Sequence, residues 1–436
     1  MSEPKKIRVG VLGAGRGGSM ISYCNAANNA EVVAICDRSV EQLNIQKEVT
    51  AGHDIAFYED FDEFIKHDMD AVVLANYANQ HAPFAIKAMR AGKHVFSECL
   101  PVQSMKEAVE LVETVEETGK VYAYGENYCY AAAPYEMKKR YQEGAIGEFE
   151  YGECEYIHNC ESVWPDIAYG DPDHWRNNMY ATFYCTHSIG PMLHMTGLRP
   201  VSVIGFEGTK TERNMRTGCK GGSFGIEMIT LENGGILKSI HGGLYHNSIW
   251  YSAYGSKGSM ESAREAANDD GWYTLHIRYD AYSGQYQPKE ETYHPSELRD
   301  YHGGGDYLSM WHFIEYLRGN KDAEIIDVYE ALDMGLPGIL AYRSVLNGNR
   351  LERIPNLRNK EEREPYRNDT ACTDPEYAGD QLLPCCSLGN PDIPAEVYAA
   401  QKAAFEHHIA DENSDMKHIA EESVKQAEAN AKRMKS

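Results

Sequence analysis

Over the first 126 residues, short apolar runs alternate with amphipathic stretches. IRVGVL (7–12), EVVAICD (31–37), DAVVLAN (70–76), KHVFSE (93–98) and KVYAYGEN (120–127) are brief and mostly apolar, and the first three are rich in β-branched residues. That is the signature of strands covered on both faces. Between them SMISYCNAAN (19–28), HAPFAIKAMRAG (81–92) and KEAVELVETVEETG (106–119) space their apolar residues as helices do. The alternation predicts a parallel, doubly wound sheet whose ligands sit at the carboxyl ends of the strands, where Asn76, Tyr77, Glu98 and Cys99 fall.

Beyond residue 127 the period changes. EFEYGECEYIH (148–158), GGILKSIHGGLYH (234–246) and GWYTLHIRYD (271–280) read as longer strands of a largely antiparallel sheet. DYLSMWHFIEYLR (306–318) and residues 328–347 read as helices that pack back onto the first domain. The expected fold is therefore α/β. A Rossmann domain (1–126) is followed by an α+β substrate domain (127–358) with a large, mostly antiparallel open sheet, then by an extension (359–436). In that extension NLRNKEEREPYRND (356–369) reads as a polar linker, and the tail from Pro394 as one long Ala/Glu/Lys helix, solvated or covering an interface.

A signature sits between the first strand and the first helix, where GAGRGG supplies Gly13, Gly15 and Gly18 as GxGxxG. The first glycine makes the tight turn and the second lets the backbone approach a pyrophosphate. The third allows close helix–strand packing. Asp37 ends the second strand, 24 positions after Gly13, where a carboxylate accepts ribose hydroxyls and repels a 2′-phosphate. NAD is the expected cofactor, with Arg38 beside Asp37 opposing that preference.

Charge narrows the partners. Sixty-six acidic residues against 42 basic ones give a formal charge of −24, which argues against nucleic acid and anionic lipid. No apolar run is of membrane-spanning length and no leader is read at MSEPKKIRVGVLG. The eleven cysteines form no CxxC or Cys/His zinc spacing, so a reduced, cytoplasmic setting with no metal is expected. Dense tyrosine in the middle of the chain suits sugars, whose C–H faces are apolar and whose hydroxyls need partners.

From about Ile7 to Arg358 the chain resembles the Gfo/Idh/MocA oxidoreductases. Such families carry Glu-Lys-Pro where this chain has Glu98-Cys99-Leu100, in GKHVFSECLPVQS. Four blocks, ENYCY (126–130), GEFEYGECEYIH (147–158), YCTHSIGP (184–191) and HGGGDY (302–307), resemble a branch of NAD-dependent glycoside hydrolases of the bacterial α-N-acetylgalactosaminidase type, which also lack the lysine. The stretch NCESVWPDIAYGDPDHWRNN (159–178) departs from that branch.

The resemblance implies a redox-neutral hydrolysis. C3 of a sugar is oxidised, the C2 proton is lost, the C1 substituent is eliminated, water adds, and the hydride returns. It places His187 at the C3 hydroxyl and Tyr184 at C2 or C3, with His158 and Tyr128 as binding or acid groups. Trp175 and Arg176, in the departing stretch, are candidates to pack on and hydrogen-bond the sugar, and Cys99 is expected to be a small filler beside the nicotinamide. Around NAD it adds Arg16, Gly17, Asn76, His81, Glu98 and Asn127 to the glycines, Asp37 and Arg38. A carbohydrate substrate and a homo-oligomer, dimer or tetramer, are implied. Net C3 dehydrogenation and a silent cofactor-binding protein are the alternatives.

Because of Asp37, NAD should bind at least about tenfold tighter than NADP, roughly one unfavourable charge contact. Fluorescence titration with the two reduced cofactors checks this, and equal affinities would show that Arg38 governs the turn.

Overall fold

A computed structural model describes residues 5–264, 273–279, 289–294, 298–300, 302–410 and 415–434. Its first sheet holds β1 (Ile7–Leu12), β2 (Ala30–Cys36), β3 (Ala56–Tyr58), β4 (Ala71–Leu74), β5 (His94–Ser97) and β6 (Tyr122–Tyr124). All pair in parallel, in the order β3-β2-β1-β4-β5-β6. The chain runs outward from β1 to β3 and then returns to start again at β4. The order therefore reverses between β1 and β4 and opens a crevice at their carboxyl ends. Each predicted strand of this domain is present, together with the short β3, which was not foreseen.

The second sheet holds β7 (Phe149–Ile157), β8 (Pro200–Glu207), β9 (Phe224–Leu231), β10 (Ile236–Gly242), β11 (Ser248–Gly255), β12 (Gly258–Ser262), β13 (Leu275–Tyr279), β14 (Lys289–Tyr293) and β15 (Glu352–Arg353). Their order is β14-β13-β12-β11-β7-β10-β9-β8-β15, and among the described pairs only β7–β10 is parallel. The strand predicted over 271–280 is described from Leu275 to Tyr279; residues 271, 272 and 280 lie outside the described residues. β9 shows the logic of the sheet, with buried and half-buried positions in strict alternation, one face on helices and one toward water. Helix Thr186–Thr196 lies on the covered face with ten of its eleven residues buried. Helix Val328–Leu346 packs beside it and against β8.

The stretch expected to be a polar linker is instead a docked strap. Arg363 is fully buried and its guanidinium holds Glu116 (2.9 Å) while Nε donates to the Leu357 carbonyl. Arg367 forks onto Glu113 (2.7 and 2.9 Å), one turn away on helix Met105–Thr118, and Arg343 forks onto Asp369. Glu113 and Glu116 share a helix face three residues apart and so meet the two arginines of the strap together.

The tail also differs from its expected single helix. Ala395–Ala410 packs on the short helix Trp164–Ala168, with Phe405 against Tyr169 and His408 2.9 Å from Asp166. Asp415–Arg433 lies across helices Gly18–Ala26 and Val40–Val49, burying Ala427 and Ala431. Residues 411–414, between them, lie outside the described residues. No described helix is long and apolar enough to cross a membrane.

Arg363→Met should lower unfolding stability by about 2 kcal/mol; the unpaired Glu116 can then reach water, which limits the loss. Arg367→Met, at an exposed ion pair, should cost less than about 1 kcal/mol. Denaturant midpoints compare the two, and equal losses would show that burial of Arg363 is not what holds the strap.

Candidate active site

The crevice begins at the glycine turn. Gly13 has φ +93°, and a Cβ there would lie 2.4 Å from the Ala75 carbonyl oxygen on β4's exit. The close helix–strand packing expected of Gly18 belongs to Gly17, where a Cβ would meet Gly13 O at 2.4 Å and Val11 at 2.6 Å; at Gly18 the nearest atom is 3.4 Å away. Gly15 is exposed above the crevice. Asp37 accepts from the amides of Ala14 (2.6 Å) and Ser39 (2.8 Å), which fixes its carboxylate at the end of β2. Arg38 points into solvent. Asn76 Oδ1 and Asn127 Oδ1 are buried without a hydrogen-bond partner, so both are free to accept from a nucleotide's hydroxyls or amide. These features fit a dinucleotide.

Three expected cofactor contacts are committed elsewhere. His81 faces the Leu100 carbonyl with Nδ1 (2.9 Å) and the Asn76 carbonyl with Nε2 (3.1 Å), and burial pulls its pKa down to about 4. Arg16 forks onto Asp306 (2.7 and 3.0 Å) and lies 2.7 Å from Glu98. Glu98 is buried; burial raises its pKa, against the pull of Arg16. His81 and Arg16 therefore brace the crevice, while Glu98 Oε1, close to Arg16, makes no hydrogen bond within the protein.

Asp306 is the centre of that bracing. Besides Arg16 it takes the Asn127 side-chain amide (2.8 Å) and His302 Nδ1 (2.9 Å). Burial would raise its pKa, but Arg16 and His302 hold it well below the usual carboxylate range. For His302, burial lowers the pKa and Asp306 more than compensates, leaving it above the ordinary 6.5. Asp300 shapes the loop by accepting the amides of His302 (2.7 Å) and Gly304 (2.8 Å).

Beside this joint stands the group expected to act on substrate. His187, in the first turn of helix Thr186–Thr196, is 7% exposed, and its Nδ1 donates to Glu126 Oε1 at 2.6 Å. Burial would raise the Glu126 carboxyl, yet the facing imidazole holds it below its ordinary value. With Nδ1 so engaged, Nε2 has no hydrogen-bond partner among the described residues and is the atom left for the cleft. The Tyr251 hydroxyl donates to the His187 carbonyl (2.6 Å) and fixes the turn. Cys99 occupies the expected lysine position as a buried thiol donating to Glu126 Oε2 (3.2 Å). Burial and then Glu126 push its pKa well up, so it stays neutral. Cys99, Glu126 and His187 also bring S, O and N donors within 4.8 Å of one another, a set able to hold a soft divalent ion only by breaking those hydrogen bonds.

Aromatic rings surround the exposed edge of His187. Ring centroids lie 4.4 Å away for Tyr128, 4.7 Å for Tyr156 and 5.1 Å for Tyr184. His158 follows Tyr156 at the end of β7, its Nδ1 3.3 Å from the Tyr156 hydroxyl and from Cys160 Sγ. Burial and then the neighbouring His187 and His302 lower its pKa. The Arg176 guanidinium sits 4.7 Å from the Trp175 ring and 5.0 Å from that of Tyr184, donating weakly to the Tyr184 hydroxyl (3.4 Å). A cavity of about 120 Å³ opens here between Tyr156, Arg176, Tyr184 and His241.

The fold thus gathers His187, Tyr184, Tyr128, His158, Trp175 and Arg176 into one connected cluster. Glu126, Tyr156, His302 and Asp306 went unnamed as site residues. Glu126 opens ENYCY right after β6, and Tyr156 shares with His158 and Cys154 the two-residue period of one strand face.

The model of the oxidoreductase family's NAD-binding Rossmann fold, Gfo/Idh/MocA, matches residues 7–126. A glycosyl hydrolase family 109 protein of Solibacter usitatus is 27% identical, over 80% of this chain and 88% of its own. An α-N-acetylgalactosaminidase of Shewanella oneidensis is 24% identical, over 80% and 85%. In fold, the whole arrangement is like that of an oxidoreductase from Agrobacterium radiobacter solved with NAD+, L-tartaric acid and magnesium, with TM-score 0.65 at 15% identity, over 80% of this chain and 98% of that one. The pairing of a parallel sheet, matched by the family model, with an open mixed sheet behind it is thus a fold seen in a solved structure.

Linkage at the Asp306 joint has a definite sign. His302's raised pKa stabilises fully below about 6.5 and loses that contribution as pH rises through its folded value. Asp306, lowered, contributes above the free carboxylate value and loses it only as pH falls through its depressed one. In a histidine-selective NMR titration His302 should titrate above 6.5 in the native protein and below it in Asp306→Asn, where burial remains and the carboxylate is gone. An unchanged midpoint in the variant would refute this electrostatic assignment.

Proposed function

We propose that this protein is an NAD-dependent glycosidase working through transient oxidation at C3 of the sugar. The observation that carries the reading is the buried Glu126–His187 pair, flanked by the neutral Cys99 thiol that stands at the expected lysine position. NAD, when held by the glycine turn and Asp37, would supply the hydride acceptor and donor for C3. Everything else is proton movement, which falls to the chain. His187 Nε2 takes the C3 hydroxyl proton, and Glu126 stabilises the resulting imidazolium while keeping the ring in one orientation. The ketone at C3 acidifies the C2 proton. Tyr184, whose phenol burial raises and Arg176 partly lowers, relays it, its hydroxyl oxygen taking up the C2 proton as its own proton passes to the departing aglycone oxygen. The C1–O bond then breaks, the aglycone leaves, water adds to the enone, and His187 returns the C3 proton as the carbonyl is reduced.

The named relatives, glycosyl hydrolase family 109 proteins and an α-N-acetylgalactosaminidase along 80% of the chain, support this reading. The oxidoreductase family model supports a second one, net C3 dehydrogenation in the same pocket. The described cysteines are all free, and we place the reaction in the cytoplasm.

Redox balance separates the two readings. With aryl glycosides, aglycone should accumulate over many turnovers without growth of NADH absorbance, and deuterated water should label C2 of the released sugar. NADH rising in step with an uncleaved keto-glycoside would turn the assignment to the dehydrogenase. His187→Ala should lose about 10²-fold or more in kcat, and Cys99→Lys should not raise it. A His187→Ala enzyme at near native rate removes that residue from the chemistry.

A further inference from the structure

Every other buried or half-buried arginine around the crevice and strap holds a carboxylate: Arg16 on Asp306, Arg343 on Asp369, Arg363 on Glu116. Arg176 does not. Its charge is met by the faces of Trp175 and Tyr184 and by one long hydrogen bond to a phenol, with no carboxylate partner among the described residues. Ring faces soften the loss of water around a guanidinium without replacing a counter-ion. The cavity it faces is cationic within an acidic chain. Glu161 is the only carboxylate lining it among the described residues, and Glu161 is engaged by Arg213 (3.7 Å) and Arg216. His241, 1% exposed and lining the same cavity, has Nε2 without a partner.

We infer that the glycone carries a carboxylate, as a uronic acid does, and that Arg176 is its counter-ion. A guanidinium fork pairs with a planar carboxylate through two parallel N–H···O bonds, and one stacked on aromatic rings is already held in plane. Tyr184 touches both Arg176 and His187, so a carboxylate held by Arg176 and the reacting C3 are both next to this one ring. His241 offers a second polar contact deeper in the cavity. The reaction rests on the glycosidase reading; the binding preference does not.

Calorimetry on the NAD-saturated protein tests the preference with free glucuronate and galacturonate against glucose, galactose and glucose 6-sulfate. The uronates should bind at least about tenfold tighter than the neutral sugars, as one charge-assisted pair demands. Arg176→Met should abolish the difference while NAD affinity is unchanged, and Arg176→Lys should keep only part of it. Neutral sugars binding as well as uronates, or the sulfate binding better than either uronate, overturns the carboxylate assignment. Aryl uronides and neutral aryl glycosides then separate the two conclusions. Aglycone released only from neutral glycosides upholds the glycosidase and sinks the uronic acid. Uronate preference with no aglycone released from any glycoside does the reverse.

Discussion

A single carboxylate, that of Asp306, is shared by three groups from three separate stretches of chain: Arg16 in the glycine turn, Asn127 after the last strand of the first sheet, and His302 in the loop before its own helix. Burying it is expensive, and only the simultaneous presence of cationic and amide donors makes the ion the stable form. The geometry of the cofactor crevice, the start of ENYCY and the HGGGD loop are therefore set together. Glu126 follows from this arrangement, because it sits one residue before Asn127 and reaches His187 from a backbone already fixed.

The replacement of lysine by Cys99 is a redistribution of charge. An ammonium at this point would pair with Glu126 or Glu98 and compete with His187 for the same carboxylate. A neutral thiol instead spends its proton on one oxygen of Glu126 and leaves the other to the imidazole. On the proposed reading the acid–base work moves from an ammonium to an imidazole, which has one nitrogen to hold a carboxylate and another to face the cleft. The three tyrosine rings around it exclude water, which strengthens the pairing.

What could be read in the sequence was periodic or had a motif of fixed spacing. The strands of the parallel sheet, the glycine turn, Asp37 and the long strands around Tyr156 announce themselves because one face or both are apolar in a regular repeat. The packing role of Gly17 rather than Gly18 did not, since motif spacing does not say which Cβ would strike the preceding strand. Nor did the strap at Arg363, where a run of charges looks solvated until the helix face opposite is known to carry Glu113 and Glu116. Glu126 was hidden for a related reason. An acidic residue at a strand end has many uses, and its pairing with a histidine 61 residues away is a property of the sheet's closure on helix Thr186–Thr196.

The two helices of the tail have a consequence for the order of assembly. Helix Ala395–Ala410 supports the Trp164–Ala168 segment just ahead of Arg176, and Asp415–Arg433 covers the first helix of the chain. Both partners leave the ribosome hundreds of residues before their covers exist, at a synthesis rate of about 5–20 residues per second. The nascent Rossmann domain must therefore hold an uncovered apolar stripe on helix Gly18–Ala26 for at least about twenty seconds. The wall of the pocket near Arg176 acquires its support only when Ala395–Ala410 is made. Support for the wall around Arg176 is thus completed only after the whole of the dinucleotide crevice has been synthesised.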